Sequence, residues 1–222
     1  MIRTLKPLRH FQACLIAAIA FTFAMGSSSQ VAAQNLAPNG EFDTDITSWH
    51  VGTGDSAVSW TAIDHSGCSS TISGAALVSN SAANASSERG SGACVTGIIS
   101  GGTYSFGVDI RFLTGQTRTG YATLVVAWFP NGTCDGITGM TDEGDLQPDT
   151  TQAGTWVHVR ADQVIAPAGS LSAGLAVRVM KNEAGGSVAA DFDGAYFYAR
   201  PGFIFGDGFT HPTSCHWSLT AP

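Results

Sequence analysis

The chain has 222 residues, enough for one domain or at most two. Only 12% of them are Asp, Glu, Lys or Arg, against 44% hydrophobic residues and 27 glycines, a balance that excludes a disordered chain and a coiled coil. The formal charge is −7, and beyond residue 33 seven basic side chains stand against 17 acidic ones, which excludes an electrostatic footprint for nucleic acid or an anionic membrane.

In chain order, Arg3, Lys6 and Arg9 form a basic opening, residues 13–25 are apolar apart from Thr22, and Val31-Ala32-Ala33 precedes Gln34. That order reads as a secretory signal peptide, residues 1–33, cleaved after Ala33. Its apolar run is too short to span a bilayer, and no later run is longer, so no membrane insertion is expected. The expected location is secreted or periplasmic.

From residue 34 onward no long amphipathic helix stands out. Short runs rich in Val, Ile, Thr and aromatics recur at 57–63, 75–79, 93–99, 103–113, 121–129, 155–165, 171–180 and 188–198, divided by Gly, Ser, Asn and Pro. Eight strands at this spacing predict an all-β fold, an antiparallel sandwich or barrel. Within 104–112, apolar residues alternate with Ser105, Gly107, Asp109 and Arg111, one buried and one polar face. Asp109 and Arg111 therefore share a polar face on which they could bond hydroxyl groups. Residues 121–129 are apolar almost throughout, which predicts a central strand covered on both sides. The acidic stretch 135–149 reads as a long loop.

Four cysteines follow the signal: Cys68, Cys94, Cys134 and Cys215. Disulfides are the default in an oxidising compartment. Cys68 and Cys134 lie in turns an even number of alternating strands apart, at one end of a sheet, which favours a Cys68–Cys134 bridge. Cys94 is left as a buried thiol or a partner of Cys215.

The motifs now add up to a resemblance. Asn35-Leu36-Ala37-Pro38-Asn39-Gly40-Glu41-Phe42-Asp43 with Trp49, then Gly101-Gly102-Thr103-Tyr104-Ser105-Phe106, Gly154-Thr155-Trp156-Val157-His158-Val159 with Ala166-Pro167, and Asp191-Phe192-Asp193-Gly194-Ala195-Tyr196-Phe197 come in the order and spacing of the CenC-type carbohydrate-binding modules. The resemblance covers residues 35–200 and implies a galactose-binding-like jelly roll, a single domain over 34–200, with a tail segment over 201–222. It implies a non-catalytic module that binds a polysaccharide or oligosaccharide. It also implies a structural Ca2+ where the first and last strands meet, with Glu41, Asp43 and Asp193 as carried-over ligands. The pattern departs at Gly194, where the family has a second acid. Trp49 and Trp156 match core positions, and Tyr104 shares a face with Phe106 and Phe112. That leaves Trp60, Tyr121 and Trp128 as sugar platforms, with Asp109 and Arg111 at the rim, since an aromatic ring offers a flat apolar face to a pyranose. Two other roles fit such a scaffold: an envelope structural or adhesion protein with a protein partner, and a small jelly-roll glycoside hydrolase or lyase. The last would need two close carboxylates with pKa values pushed apart. No nucleophile elbow, zinc-protease motif, P-loop or dinucleotide fingerprint is present.

Overall fold

A computed structural model describes residues 34–51, 56–67, 73–136, 139–141 and 144–200. The signal over 1–33, the tail over 201–222, Cys68 and Cys215 lie outside the described residues. Among the described residues ten strands run in order: β1 (His50–Val51), β2 (Ser56–Thr61), β3 (Ala75–Asn80), β4 (Ser87–Thr96), β5 (Thr103–Phe112), β6 (Gly120–Phe129), β7 (Gly139–Thr141), β8 (Val157–Ile165), β9 (Ser172–Lys181) and β10 (Val188–Arg200). They form two five-stranded sheets. Sheet I has the order β1-β4-β9-β6-β7 and sheet II the order β2-β3-β10-β5-β8. Every strand pair is antiparallel. The expected all-β sandwich is therefore the fold.

The alternation within each strand decides what lies between the sheets. Tyr104, Phe106, Val108, Ile110 and Phe112 of β5 point inward with Ala122, Leu124, Val126 and Trp128 of β6 and Leu175, Val177 and Val179 of β9. Burying side chains of this size is worth roughly 1.5–3 kcal/mol each, which outweighs the weak local preferences of the short strands. Strand β6 is interior to its sheet, and its outward Thr123 and Val125 are buried too, as its unbroken apolar run implied.

The opening motif is fastened to the last strand by hydrogen bonds. Leu36 N–H donates to Phe197 O (2.8 Å), Phe197 N–H to the Asn35 side chain (2.9 Å), the Asn35 amide to Ala195 O (3.0 Å) and Ala195 N–H to Gly40 O (2.9 Å). Trp49 packs against Phe42 with its ring tilted by 55° and donates its indole N–H to Pro38 O. Neutral groups thus already hold the two ends of the sandwich together.

Three features differ from the sequence reading. Strand β4 starts at Ser87, six residues before the expected run, because Ser87-Glu88-Arg89-Gly90-Ser91-Gly92 carries no apolar alternation. Its glycines let β9 approach closely, and a Cβ at Gly90 would meet Val177 O. The expected loop 135–149 contains the three-residue β7, and its later part bonds along the edge of β6 through Gly144 N–H to Leu124 O and Ala122 N–H to Pro148 O. The disulfide joins Cys94 to Cys134, not Cys68 to Cys134. Counting strands ignored which sheet each belongs to. The turn after β2 belongs to sheet II, while the loop after β6 caps sheet I, where Cys94 projects from β4 two strands away. Cys134 is held there by its N–H to the Ser172 hydroxyl (3.2 Å).

Candidate functional site

The outer face of sheet II gathers most of the chemistry in the described residues. In the β5–β10 register Asp109 lies opposite Asp193 and Arg111 opposite Asp191, so four charged side chains leave one side of two adjacent strands. A bulge follows Asp193, with Gly194 at φ +57°, and it resets the alternation so that Tyr196 and Tyr198 also point outward. On the far side of β5, His158 of β8 pairs with Asp109. Gly107 leaves room for the Tyr196 ring to cross β5; a Cβ there would stand 2.5 Å from the Tyr196 hydroxyl. Tyr196 consequently stacks on His158 (centroids 5.9 Å, 14° between planes) and on Tyr198 (5.2 Å).

Between these rings sits a chain of titratable groups. Asp193, 1% exposed, accepts from both the backbone N–H and the Nδ1 of His65 at 2.9 Å, and from Gly194 N–H at 2.7 Å. His65 comes from the turn after β2, and its Nε2 faces Asp109 Oδ2 at 3.8 Å. The other oxygen of Asp109 meets His158 Nδ1 at 3.2 Å, and His158 Nε2 lies 3.4 Å from the Tyr196 hydroxyl. Asp64, its carboxylate bonded by Ser66 N–H and hydroxyl, lies 4.0 Å from His65 Nδ1.

The electrostatics follow from this crowding. Burial alone pulls the His65 imidazolium down, but the hydrogen bond and charge of Asp193, then the charges of Asp109 and Glu41, outweigh it and raise the pKa to about 9. Burial pushes Asp193 up to about 6, against the His65 hydrogen bonds and charge and the Gly194 N–H. Burial, with the charge of Asp162, lifts the Tyr196 phenol to about 12.

A second polar group lies alongside. Arg111 donates from Nε (3.2 Å) and Nη2 (2.7 Å) to one oxygen of the buried Asp191, whose other oxygen accepts from the Thr61 hydroxyl at 3.3 Å. The guanidinium covers the Trp156 ring at 5.3 Å, and His65 meets the same ring edge-on.

The sequence-expected residues divide between these places. Asp109, Arg111 and Asp193 come together on sheet II. Tyr121 projects from the outer face of sheet I, on the opposite side of the sandwich, so it cannot share a ligand with them. Trp128 is fully buried, packed between Tyr104 and Phe197, and a ring without exposed surface is no platform. Trp60 packs against the core and donates its indole N–H to Phe42 O at 2.6 Å. Trp156, read as core, is instead half-buried at the outer face. Asp64, His65, His158, Tyr196 and Tyr198 were not among the expected site residues. The outward tyrosines were hidden by the Gly194 bulge, and His65 sits in a turn with no periodicity to read.

Of the implied calcium ligands Glu41, Asp43 and Asp193, Asp193 accepts three N–H groups, and the charge of Glu41 acts on the same His65 imidazole. Among the described residues the trio whose ligand atoms lie within 4.8 Å of one another is Asp64, His65 and Asp193, and it includes a nitrogen. A Cβ at Gly194 would lie 3.2 Å from both the His65 ring and Asp109. A side chain at this position would therefore crowd the imidazole and Asp109 by a few tenths of an ångström.

No protein-family model matches the chain, and no curated protein matches it. Solved structures do. The C-terminal family 22 carbohydrate-binding module of Clostridium thermocellum Xyn10B superposes with a TM-score of 0.50 at 18% identity, covering 74% of this chain and 94% of that one. This chain shares the jelly-roll sandwich fold of that module. The enzymatically active domain of bacteriophage CBA120 tailspike protein 4 superposes at 0.54 and 12% identity over 75% of this chain. An arabinose-bound MgGH51 α-L-arabinofuranosidase does so at 0.54 and 13% over 82% of it. The match spans only 21% and 30% of those two longer chains. At these identities the likeness is one of fold. No helix of the described residues is long and apolar enough to cross a membrane.

Proposed function

We propose that the protein is an exported, non-catalytic glycan-binding module whose binding face is the outer surface of sheet II. The observation that carries this reading is the pairing of two aromatic surfaces, Trp156 and the Tyr196–His158 ledge backed by the buried Tyr198, with Asp109, Arg111 and His65 between and beside them. Rings of this kind accept the C–H face of a pyranose, and the charged groups bond its hydroxyls. The solved family 22 module supports the reading through its fold and its name. A chain with this fold and a Cys94–Cys134 bridge suits an oxidising compartment, in keeping with the export signal.

Asp193 has the raised pKa a general acid needs, yet its carboxyl is buried beneath His65 and its oxygens are bonded inward. An acid that cannot touch a glycosidic oxygen weighs for binding over hydrolysis. The test is binding of the purified chain to a panel of soluble and insoluble polysaccharides, by affinity electrophoresis and pull-down. Trp156→Ala and Tyr196→Ala are expected to weaken binding at least tenfold, and Tyr121→Ala, on the other sheet, to leave it unchanged. Absence of binding to every glycan by the folded protein, or loss only in Tyr121→Ala, overturns the proposal.

A further inference from the structure

We infer that Asp64, His65 and Asp193 form a binding site for a divalent transition metal of the zinc class, in place of the calcium site that the fold resemblance implies. The three donor atoms are His65 Nδ1, Asp193 Oδ2 at 2.9 Å from it and Asp64 Oδ1 at 4.0 Å, all within 4.8 Å of one another. Tetrahedral ligands about 2.0–2.1 Å from one metal stand about 3.3–3.4 Å apart, so the 2.9 and 4.0 Å edges bracket that spacing and small side-chain shifts bring both donors onto one ion. A nitrogen with two carboxylate oxygens is a borderline donor set; it suits zinc, cobalt or nickel, and it falls short of the oxygen cage that calcium or magnesium demands.

Three further features of the site fit a metal. The carboxylates are buried, Asp64 at 6% and Asp193 at 1% exposure, a setting in which their charge attracts a cation more strongly than in water. With Asp109 and Glu41 acting on the same imidazole, negative charge converges on one histidine, while the nearby Arg111 is engaged by Asp191. The other nitrogen of His65 lies 3.8 Å from the Asp109 carboxylate, an ion-pair distance from which a small closure gives the hydrogen bond that orients a metal-bound histidine. The ion would take the position of the Nδ1 proton, releasing it. The ring is 25% exposed, so solvent has a path to the site.

The experiment titrates the full chain, freed of metal with chelator, with Zn2+, Co2+, Ca2+ and Mg2+. It follows heat, the visible absorption of Co2+ and the thermal midpoint. One equivalent of Zn2+ or Co2+ is expected to bind and raise the midpoint, while Ca2+ and Mg2+ do neither. His65→Gln should abolish the site, and Asp109→Asn, which removes the charge beside the other imidazole nitrogen and beside His158, should weaken it about 10- to 100-fold. A chain carrying His211→Gln, Cys215→Ser and His216→Gln should retain it, which separates this site from donors near the C-terminus. If His65→Gln does not fold, Asp64→Asn, at the edge of the trio, serves instead. No transition-metal binding, binding unchanged by the His65 or Asp64 substitutions, or Ca2+ binding as tight as Zn2+ overturns the inference. None of these outcomes depends on a glycan being bound.

Discussion

The His65–Asp193 pair makes the stability of the metal-free protein depend on pH in a way that can be calculated. The folded-state pKa of His65, about 9, lies above the ordinary 6.5. The imidazolium therefore stabilises the fold fully below pH 6.5, and that contribution is lost as pH rises through about 9. The gap corresponds to roughly 3 kcal/mol. Asp193, raised from 3.8 to about 6, adds a separate decline between those two values, since the folded protein holds its proton longer than the unfolded chain. Tyr196, raised to about 12, is silent in both windows. The perturbation is the double substitution His65→Gln with Asp193→Asn, which replaces both titrating groups by amides of similar shape. Removing His65 alone would leave a buried carboxylate without its partner and shift its titration into the same window. Urea unfolding in chelator, repeated from pH 6 to 10, is expected to show the wild type losing about 3 kcal/mol between pH 6.5 and 9.5 and the double variant losing about 3 kcal/mol less over that range. Titrating groups outside the pair are common to both proteins and cancel in the comparison. Parallel profiles for the two proteins would refute the reasoning, because the pair would then carry no net linkage.

Other outcomes follow from the same geometry. Trp128→Ala should cost roughly 3–5 kcal/mol of stability in thermal or urea unfolding, since the ring is wholly inside the core; a change in glycan binding with intact stability would contradict its placement. Gly194→Ala should cost about 1–2 kcal/mol from the left-handed backbone alone, and its Cβ should also crowd His65 enough to reduce the pH dependence above pH 6.5. Non-reducing peptide mapping should recover Cys94 linked to Cys134, and Cys94→Ser should lower stability by roughly 3–4 kcal/mol for a closed loop of 40 residues; a Cys68–Cys134 peptide would contradict the structure.

The strand pattern shows what a one-dimensional reading can reach. All eight apolar runs became strands, because inward-facing positions of a sandwich must be filled with large apolar side chains at every second residue. The polar row Ser105, Gly107, Asp109 and Arg111 was legible for the same reason. Two strands were missed, β1 and β7, which at two and three residues are too short to show a period. Polar, glycine-rich residues 87–92 gave no sign that they extend β4.

The candidate site was legible only in part. Asp109, Arg111 and Asp193 could each be named from alternation or motif, but nothing local says that Asp109 and Asp193 lie opposite each other. That is fixed by the β5–β10 register, a contact between residues 84 positions apart. His65 arrives from a turn after a different strand. The sequence alone determined the sandwich, its inward and outward faces and the acidic excess, because periodicity and composition act residue by residue. Tertiary structure alone decided which sheet each turn caps, which cysteines meet, which tryptophans are buried and which acids share a histidine, because those depend on strand order and on a bulge that only paired strands reveal.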